Sequence, residues 1–342
     1  MFDSLPGNKK TLETLSRLLE NSRFPQSSIF SGPAGIGKEK VALWCAQSLV
    51  CQTSKIACGT CRACIHAKVF SLPTSGKKKD YEMVYFSEQP DVGKVVSNKQ
   101  NIYVEAIRDL EREANFRPFE ARNRVFLIND ADKMSPAAEN ALLKTLEEPT
   151  ETSYIILITS SISALFATIR SRCQIIRFAP PSTESTIQML LETKRYSPAD
   201  AKLVAQIAAG NPELAQSFVP DELRKERDDF LRIVEAGSRV KTAAEKMQIA
   251  AEFSNASSSA DYSEKLLRFQ DVLRGIWLIS LGNGTQFQDY EDFPRLAATA
   301  KLFSTKQIAG WIEDVSDLRF QLKFNLNRKI ASDALAVKIG RG

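Results

Sequence analysis

The 342-residue chain has a single histidine, His66, which excludes most histidine-based chemistry, because any catalytic triad would have to be built around that one ring. Long apolar runs are also missing. No stretch approaches the ~18 residues needed to span a bilayer, and the N-terminus MFDSLPGNKK has no signal-peptide pattern. A cytoplasmic protein with no membrane contact is expected. Nor is there an excess of one charge: 46 basic and 41 acidic residues give a net +5, which permits contact with nucleic acid without demanding it. No internal repeat is present. What remains is the composition of an ordinary folded protein, 43% apolar and 25% charged, long enough for two or three domains that each bury a core.

Cysteine is the informative residue. Four of the six, Cys51, Cys58, Cys61 and Cys64, fall within fourteen residues, and in a cytosolic chain that clustering points to metal rather than disulfides. Tetrahedral zinc takes four soft donors, and compact C-x2-C turns present them well. With four thiolates the site has no open position, so the zinc is expected to be structural. His66 is read as a neighbour of this module (51–64), and Cys45 and Cys173 as packed thiols.

Apolar runs at Ser28 to Ser31, Val125 to Ile128, Tyr154 to Thr159 and Gln174 to Phe178 alternate with helix-like stretches, the signature of a parallel sheet covered by helices. Between Ser71 and Gln100 the polar, Gly- and Pro-containing sequence with Lys77-Lys78-Lys79 reads as a long, mobile, solvated loop. After Pro180-Pro181 the pattern becomes helix upon helix. The expected domains are therefore 1–179, 180–220 and 221–342, with Ser254 to Ser259 as an interhelical loop in the last.

The strand Ser28 to Ser31 runs into Gly32-Pro33-Ala34-Gly35-Ile36-Gly37-Lys38 and then a helical stretch, Glu39 to Leu49. Strand, glycine loop, lysine and helix in that order make a P-loop. Glycines let backbone N–H groups converge on a phosphate, the helix N-terminus adds partial positive charge, and Lys38 adds a full one. The next residue should be Ser or Thr to ligate magnesium, but is Glu39. At the end of the Val125 to Ile128 strand, where an aspartate normally holds the metal, stands Asn129, followed by Asp130. A shifted register would make Asp130 or Asp132 the ligand. ATP or ADP is thus allowed, whereas magnesium is poorly served.

Ser135 is a good N-cap, Pro136 suits the first helical position and Pro149 stops the run. The stretch Asn140 to Pro149 (NALLKTLEEP) resembles the hallmark helix of the AAA+ clamp-loader subunits of bacterial DNA polymerase III, and Ser171-Arg172-Cys173 resembles the SRC motif of the same family. The resemblance implies an AAA+ P-loop core with an inserted zinc module, a small helical lid and an all-α collar that joins a pentamer, with Asn325-Leu326-Asn327 and Ala331 to Val337 in its closing helix. It implies gamma or tau and delta subunits as partners, and the sliding clamp and primer–template DNA as what the assembly acts on. It also makes Arg172 a finger reaching a nucleotide on the next subunit, puts Thr159 and Ser160 in the sensor-1 region, and puts Glu213 where a nucleotide-contacting arginine is expected. Glu39, Asn129 and Glu213 all depart in one direction, towards a stator that donates a finger while its own ATPase is defective. Two alternatives stay open: an active gamma/tau-type ATPase, and a zinc-bearing DNA-binding adaptor with a relic P-loop.

Overall fold

The computed structural model describes residues 7–74, 76–98, 101–239, 259–288, 290–322 and 327–339. Contacts divide the chain into two compact units, Met1–Ala201 with Ala208–Ser217, and Lys202–Ile207 with Phe218–Gly342. No helix among the described residues is long and apolar enough to cross a membrane.

The first unit is built on a six-stranded sheet of order β2-β3-β4-β5-β1-β6. Its strands are β1 (Ser27–Ser31), β2 (Tyr85–Phe86), β3 (Val92–Val95), β4 (Arg124–Ile128), β5 (Ser153–Thr159) and β6 (Gln174–Arg177). The pairings β3–β4, β4–β5, β5–β1 and β1–β6 are parallel, and the short edge strand β2 runs antiparallel to β3. Strands covered on both faces read as continuous apolar runs, and β1 and β4 are buried at every position. Successive side chains point to opposite faces. Val125, Leu127, Ile156 and Phe30 accordingly pack with α1 (Lys9–Glu20) and α2 (Lys38–Val50), while Phe126, Ile128, Leu157 and Ile29 pack with α4 (Val104–Ala114) and α5 (Pro136–Glu147). The short α3 (Arg62–His66) and α6 (Ala167–Arg170) complete the sheet-bearing part.

The segment from Ser71 to Gln100 is not the open loop its composition suggests. It supplies β2 and β3, and all four residues of β3 are buried. The strand escapes a hydrophobicity pattern because its middle is Gly93-Lys94. Gly93 is required by close packing, since a Cβ there would meet Val84 Cγ1 at 2.6 Å. Lys94 is tolerated because its ammonium is paired at 2.6 Å with Glu39 Oε1 and lies 4.6 Å from the Phe70 ring centroid. Below it, β4 opens on Arg124, which is fully buried and bonded to Glu113 O and Glu113 Oε2 at 2.7 and 3.2 Å. The neighbouring Asp91 carboxylate accepts the N–H groups of Phe119, Glu120 and Ala121 at 2.7 to 2.8 Å. Pairing offsets the cost of burying these charges, although Arg124 Nε, 3.8 Å from Asp91 Oδ1, has no hydrogen-bond partner among the described residues.

After β6 come α7 (Thr183–Glu192), α8 (Pro198–Ala208) and α9 (Pro212–Ser217). The second unit contains α10 (Pro220–Arg239), α11 (Ser259–Ser280), α12 (Phe293–Ala300), α13 (Thr305–Gln321) and α14 (Arg328–Ile339). Its core joins Phe230, Val234, Leu266, Phe269, Ile308, Trp311, Val315 and Leu335. Two polar contacts lock helix pairs: the hydroxyls of Tyr262 and Ser332 lie 2.7 Å apart, and Gln270 Nε2 donates to Ser316 Oγ at 2.5 Å. Residues 254–258 of the Ser-rich stretch, and Asn325 and Leu326 before the closing helix, lie outside the described residues.

Candidate functional site

Gly32 to Gly37 connects the carboxyl end of β1 to α2, with Gly37 as its N-cap. β1 lies between β5 and β6, so the loop opens at the carboxyl end of an interior parallel strand, where open α/β sheets bind ligands. The loop is closely covered. A turn carrying Ala209 and Gly210 in the left-handed region, at φ 47° and 83°, leads into α9. Asn211 from this turn sits so near Gly35 (φ 70°) that a Cβ there would lie 2.0 Å from Asn211 Oδ1. Glu213 N donates to Gly35 O at 3.2 Å. Lys38, only 6% exposed, donates from Nζ to Gly32 O and Pro33 O at 2.7 and 2.5 Å. Burial pushes its ammonium below the ordinary lysine value, against the opposing charges of Asp132, Glu213 and Asp130.

Three carboxylates around this loop, Glu39, Asp130 and Asp132, are engaged with protein groups. Glu39 pairs with Lys94, as described. Asp130, with φ 51°, accepts from Ser97 Oγ at 3.0 Å and Lys133 Nζ at 2.9 Å. Asp132 accepts from Thr159 Oγ1 at 2.6 Å, Ser160 N at 3.0 Å and Ser160 Oγ at 3.3 Å. Burial acts to raise the Asp132 carboxyl, but the hydrogen bonds from Thr159 and Ser160 outweigh it and hold the group below the usual carboxylate range. Asn129 follows β4, and its Oδ1 is buried without a hydrogen-bond partner among the described residues. Thr159 ends β5 level with Ser31 of β1, so the loop, Asn129, Asp132 and Thr159 gather at the carboxyl ends of the parallel strands.

Arg172 lies at the amino-terminal ends of these strands. It follows α6 and precedes β6, whose first residue, Gln174, is level with Ser28 near the start of β1. At about 3.3 Å per residue the four residues of β6 span about 13 Å, so Arg172 and the chain's own P-loop stand at opposite ends of parallel strands. The guanidinium is 34% exposed and donates from Nη1 to Thr168 O at 3.0 Å, with Ser171 Oγ at 3.4 Å. Its Nη2 lies 2.5 Å from Glu147 Oε1, on the last turn of α5. The adjacent Cys173 is buried, which pushes its thiol up to about 12.

The four cysteines gather at the far end of α2. Cys51 ends that helix, Cys58 and Cys61 flank a turn, and Cys64 lies in α3. All four sulfurs lie within 4.8 Å of one another, with Cys51–Cys61 and Cys58–Cys64 both at 3.9 Å. A tetrahedron with metal–sulfur bonds of about 2.3 Å has edges of about 3.8 Å, so the sulfurs can hold an ion such as zinc with little adjustment. Cys61 N and Cys64 N donate to Cys58 Sγ and Cys61 Sγ at 3.2 and 3.5 Å, which orients the ligands from outside. Hydrogen bonds from Thr53 and Thr60 hold the Cys58 thiol down at about 5, whereas burial pushes Cys64 up to about 12.

Three partners around the site carry no local signal: Lys94 for Glu39, Asn211 for Gly35 and Glu147 for Arg172. Asp132 is visible in sequence as a carboxylate, but its bonding to Thr159 and Ser160 is not. A family model described as DNA polymerase III, delta subunit, matches residues 7–182, just over half of the chain. The delta' subunit of DNA polymerase III from Bacillus subtilis is 27% identical over 97% of this chain and 96% of its own length. That of Pseudomonas aeruginosa is 31% identical over 62% of this chain and 61% of its own. The tau subunit from Bacillus subtilis is 27% identical, over 69% of this chain and 40% of that protein. Among solved structures, a gamma subunit-related protein from Thermotoga maritima aligns over 97% of this chain and 99% of its own, at 17% identity and a TM-score of 0.48. With its P-loop fold and a family match that covers most of the first unit, the chain belongs to the delta-prime clamp-loader family of DNA polymerase III.

Proposed function

We propose that the chain is the finger-donating, ATPase-silent subunit of a clamp loader, working beside gamma or tau and delta subunits to place a sliding clamp on primer–template DNA. The observation that carries this reading is the position of Arg172 at the amino-terminal end of the parallel strands, opposite its own P-loop, partly exposed and with only part of its guanidinium tethered. An arginine so placed cannot serve the phosphate of its own loop. It is suited to one bound by an adjoining subunit, where a guanidinium stabilises transition-state charge and raises turnover by ~10³ to 10⁵.

The chain's own pocket supports the same division of labour. Gly32, Gly35, Gly37 and Lys38 keep a phosphate cradle, but Glu39 is committed to Lys94, Asn129 brings no charge to a cation, and Glu213 adds negative potential beside Lys38. Asp130 and Asp132, the other candidates for magnesium, are occupied by Lys133 and by Thr159 and Ser160. ATP or ADP could bind here, but bound ATP would lack the metal that assists attack of water on its gamma-phosphate. The four cysteines hold structural zinc, residues 180–220 act as a lid and 221–342 as the collar.

Reconstitution with the ATP-binding and delta subunits tests the proposal. Arg172→Ala should leave the melting temperature and assembly unchanged while lowering DNA-stimulated ATP turnover of the complex at least tenfold. Undiminished turnover, or brisk metal-dependent hydrolysis by the purified chain alone, would overturn it.

A further inference from the structure

We infer that Glu147 is a positioning residue for Arg172, and that α5 is the strut that sets where the guanidinium stands. The inference rests on the proposal that Arg172 acts on a neighbour's nucleotide. It starts from two carboxylates on one helix that grip the same downstream segment. In the first turn of α5, Glu139 is 4% exposed, and its Oε2 accepts the Phe166 N–H, the N-cap position of α6, at 2.7 Å. In the last turn, Glu147 takes Arg172 Nη2 at 2.5 Å. Eight residues apart on a helix, these grips are separated by about 12 Å. They hold both ends of the stretch from Phe166 to Arg172.

Between those points α6 adds a local brace. Thr168 O accepts from Arg172 Nη1, Ser171 Oγ donates to the same carbonyl at 3.0 Å, and Arg172 N donates to Ile169 O at 3.1 Å. An arginine has five N–H donors in a planar fork. Thr168 O, Ser171 Oγ and Glu147 Oε1 engage three of them, which leaves Nε–H and one Nη2–H for the two oxygens of a phosphate. The pair therefore orients the fork without occupying it. Glu147 is 47% exposed, so the ion pair adds little to folding, and its consequence is the direction of a flexible side chain.

The experiment uses the reconstituted complex and steady-state ATP turnover. Glu147→Ala should lower kcat roughly tenfold at unchanged KM for ATP, because a free rotamer reaches the phosphate less often. Glu147→Gln, which keeps an acceptor oxygen, should restore most of that loss. Glu147→Ala combined with Arg172→Ala should be no slower than Arg172→Ala alone, since the carboxylate acts only through the guanidinium. Sedimentation must show assembly intact in each case. If Arg172→Ala has no effect, the finger reading itself fails. If Arg172→Ala is impaired but Glu147→Ala matches or exceeds wild type, or if the double variant is slower still, the finger stands and the positioning role is overturned.

Discussion

At the scale of single residues, the P-loop is a place where charges are paired with protein groups rather than left for a ligand. Glu39 is the clearest case. Its position in the motif normally carries a hydroxyl, and the carboxylate that replaces it is 49% exposed, while Lys94, its partner, is only 6% exposed. The asymmetry decides what each side chain contributes. Truncating the exposed partner strands a buried ammonium, whereas removing both groups relieves the burial altogether. Glu39→Ala should therefore destabilise the chain by about 1–2 kcal/mol, and the loss should largely vanish when Lys94→Met is added. Urea unfolding of the four members of the cycle measures this. Additive losses would mean that the pair is incidental.

At the scale of elements, the cysteine excursion from Cys51 to Cys64 has no regular structure besides the start of the five-residue α3. It is held to α2 by a few contacts, such as Gln47 Nε2 to Cys64 O at 2.6 Å and Ala57 N to Ser48 Oγ at 2.9 Å. Cys58→Ser with Cys61→Ser should lose about one zinc per chain by metal analysis and lower the thermal midpoint. The buried strands β1, β4 and β5 should still form. Zinc held by these four sulfurs, as proposed, would take them as thiolates, and burial pushes the Cys64 thiol up to about 12, so binding would have to displace its proton. Apparent zinc affinity should accordingly fall as pH falls. An affinity flat from pH 8 to pH 6 would argue against thiolate ligation.

At the scale of the whole molecule, the two compact units have separate apolar cores, one divided between the two faces of the sheet and one among helices. Units with independent cores need not unfold together. Phe269 is fully buried in the helical unit, with its ring 5.2 Å from that of Phe230. Phe269→Ala should cost about 3–5 kcal/mol there. In a calorimetric scan it should displace one transition downwards and leave the other, together with the zinc content, in place. A single transition that shifts as a whole would show the units to be one cooperative body.

The strands β1, β4, β5 and β6 were legible in the sequence, as were the glycine loop and the clustered cysteines. So was α5, whose cap Ser135 accepts the Ala138 N–H at 3.2 Å. Each follows from rules that act over a few residues: apolar runs, turn glycines, helix caps and ligand spacing. What the sequence could not disclose lies in pairs far apart along the chain. Glu39 meets Lys94 across 55 positions and Asp132 meets Thr159 across 27, while Arg172 meets Glu147 from a different element. β3 belongs to the same group, because a strand centred on Gly-Lys is accommodated by close neighbours around the glycine and by a carboxylate that α2 supplies for the ammonium. Local patterning determined which elements form and where the reactive residue types stand. Only tertiary packing decided which charges neutralise each other, because that depends on which side chains the sheet order brings within hydrogen-bond reach.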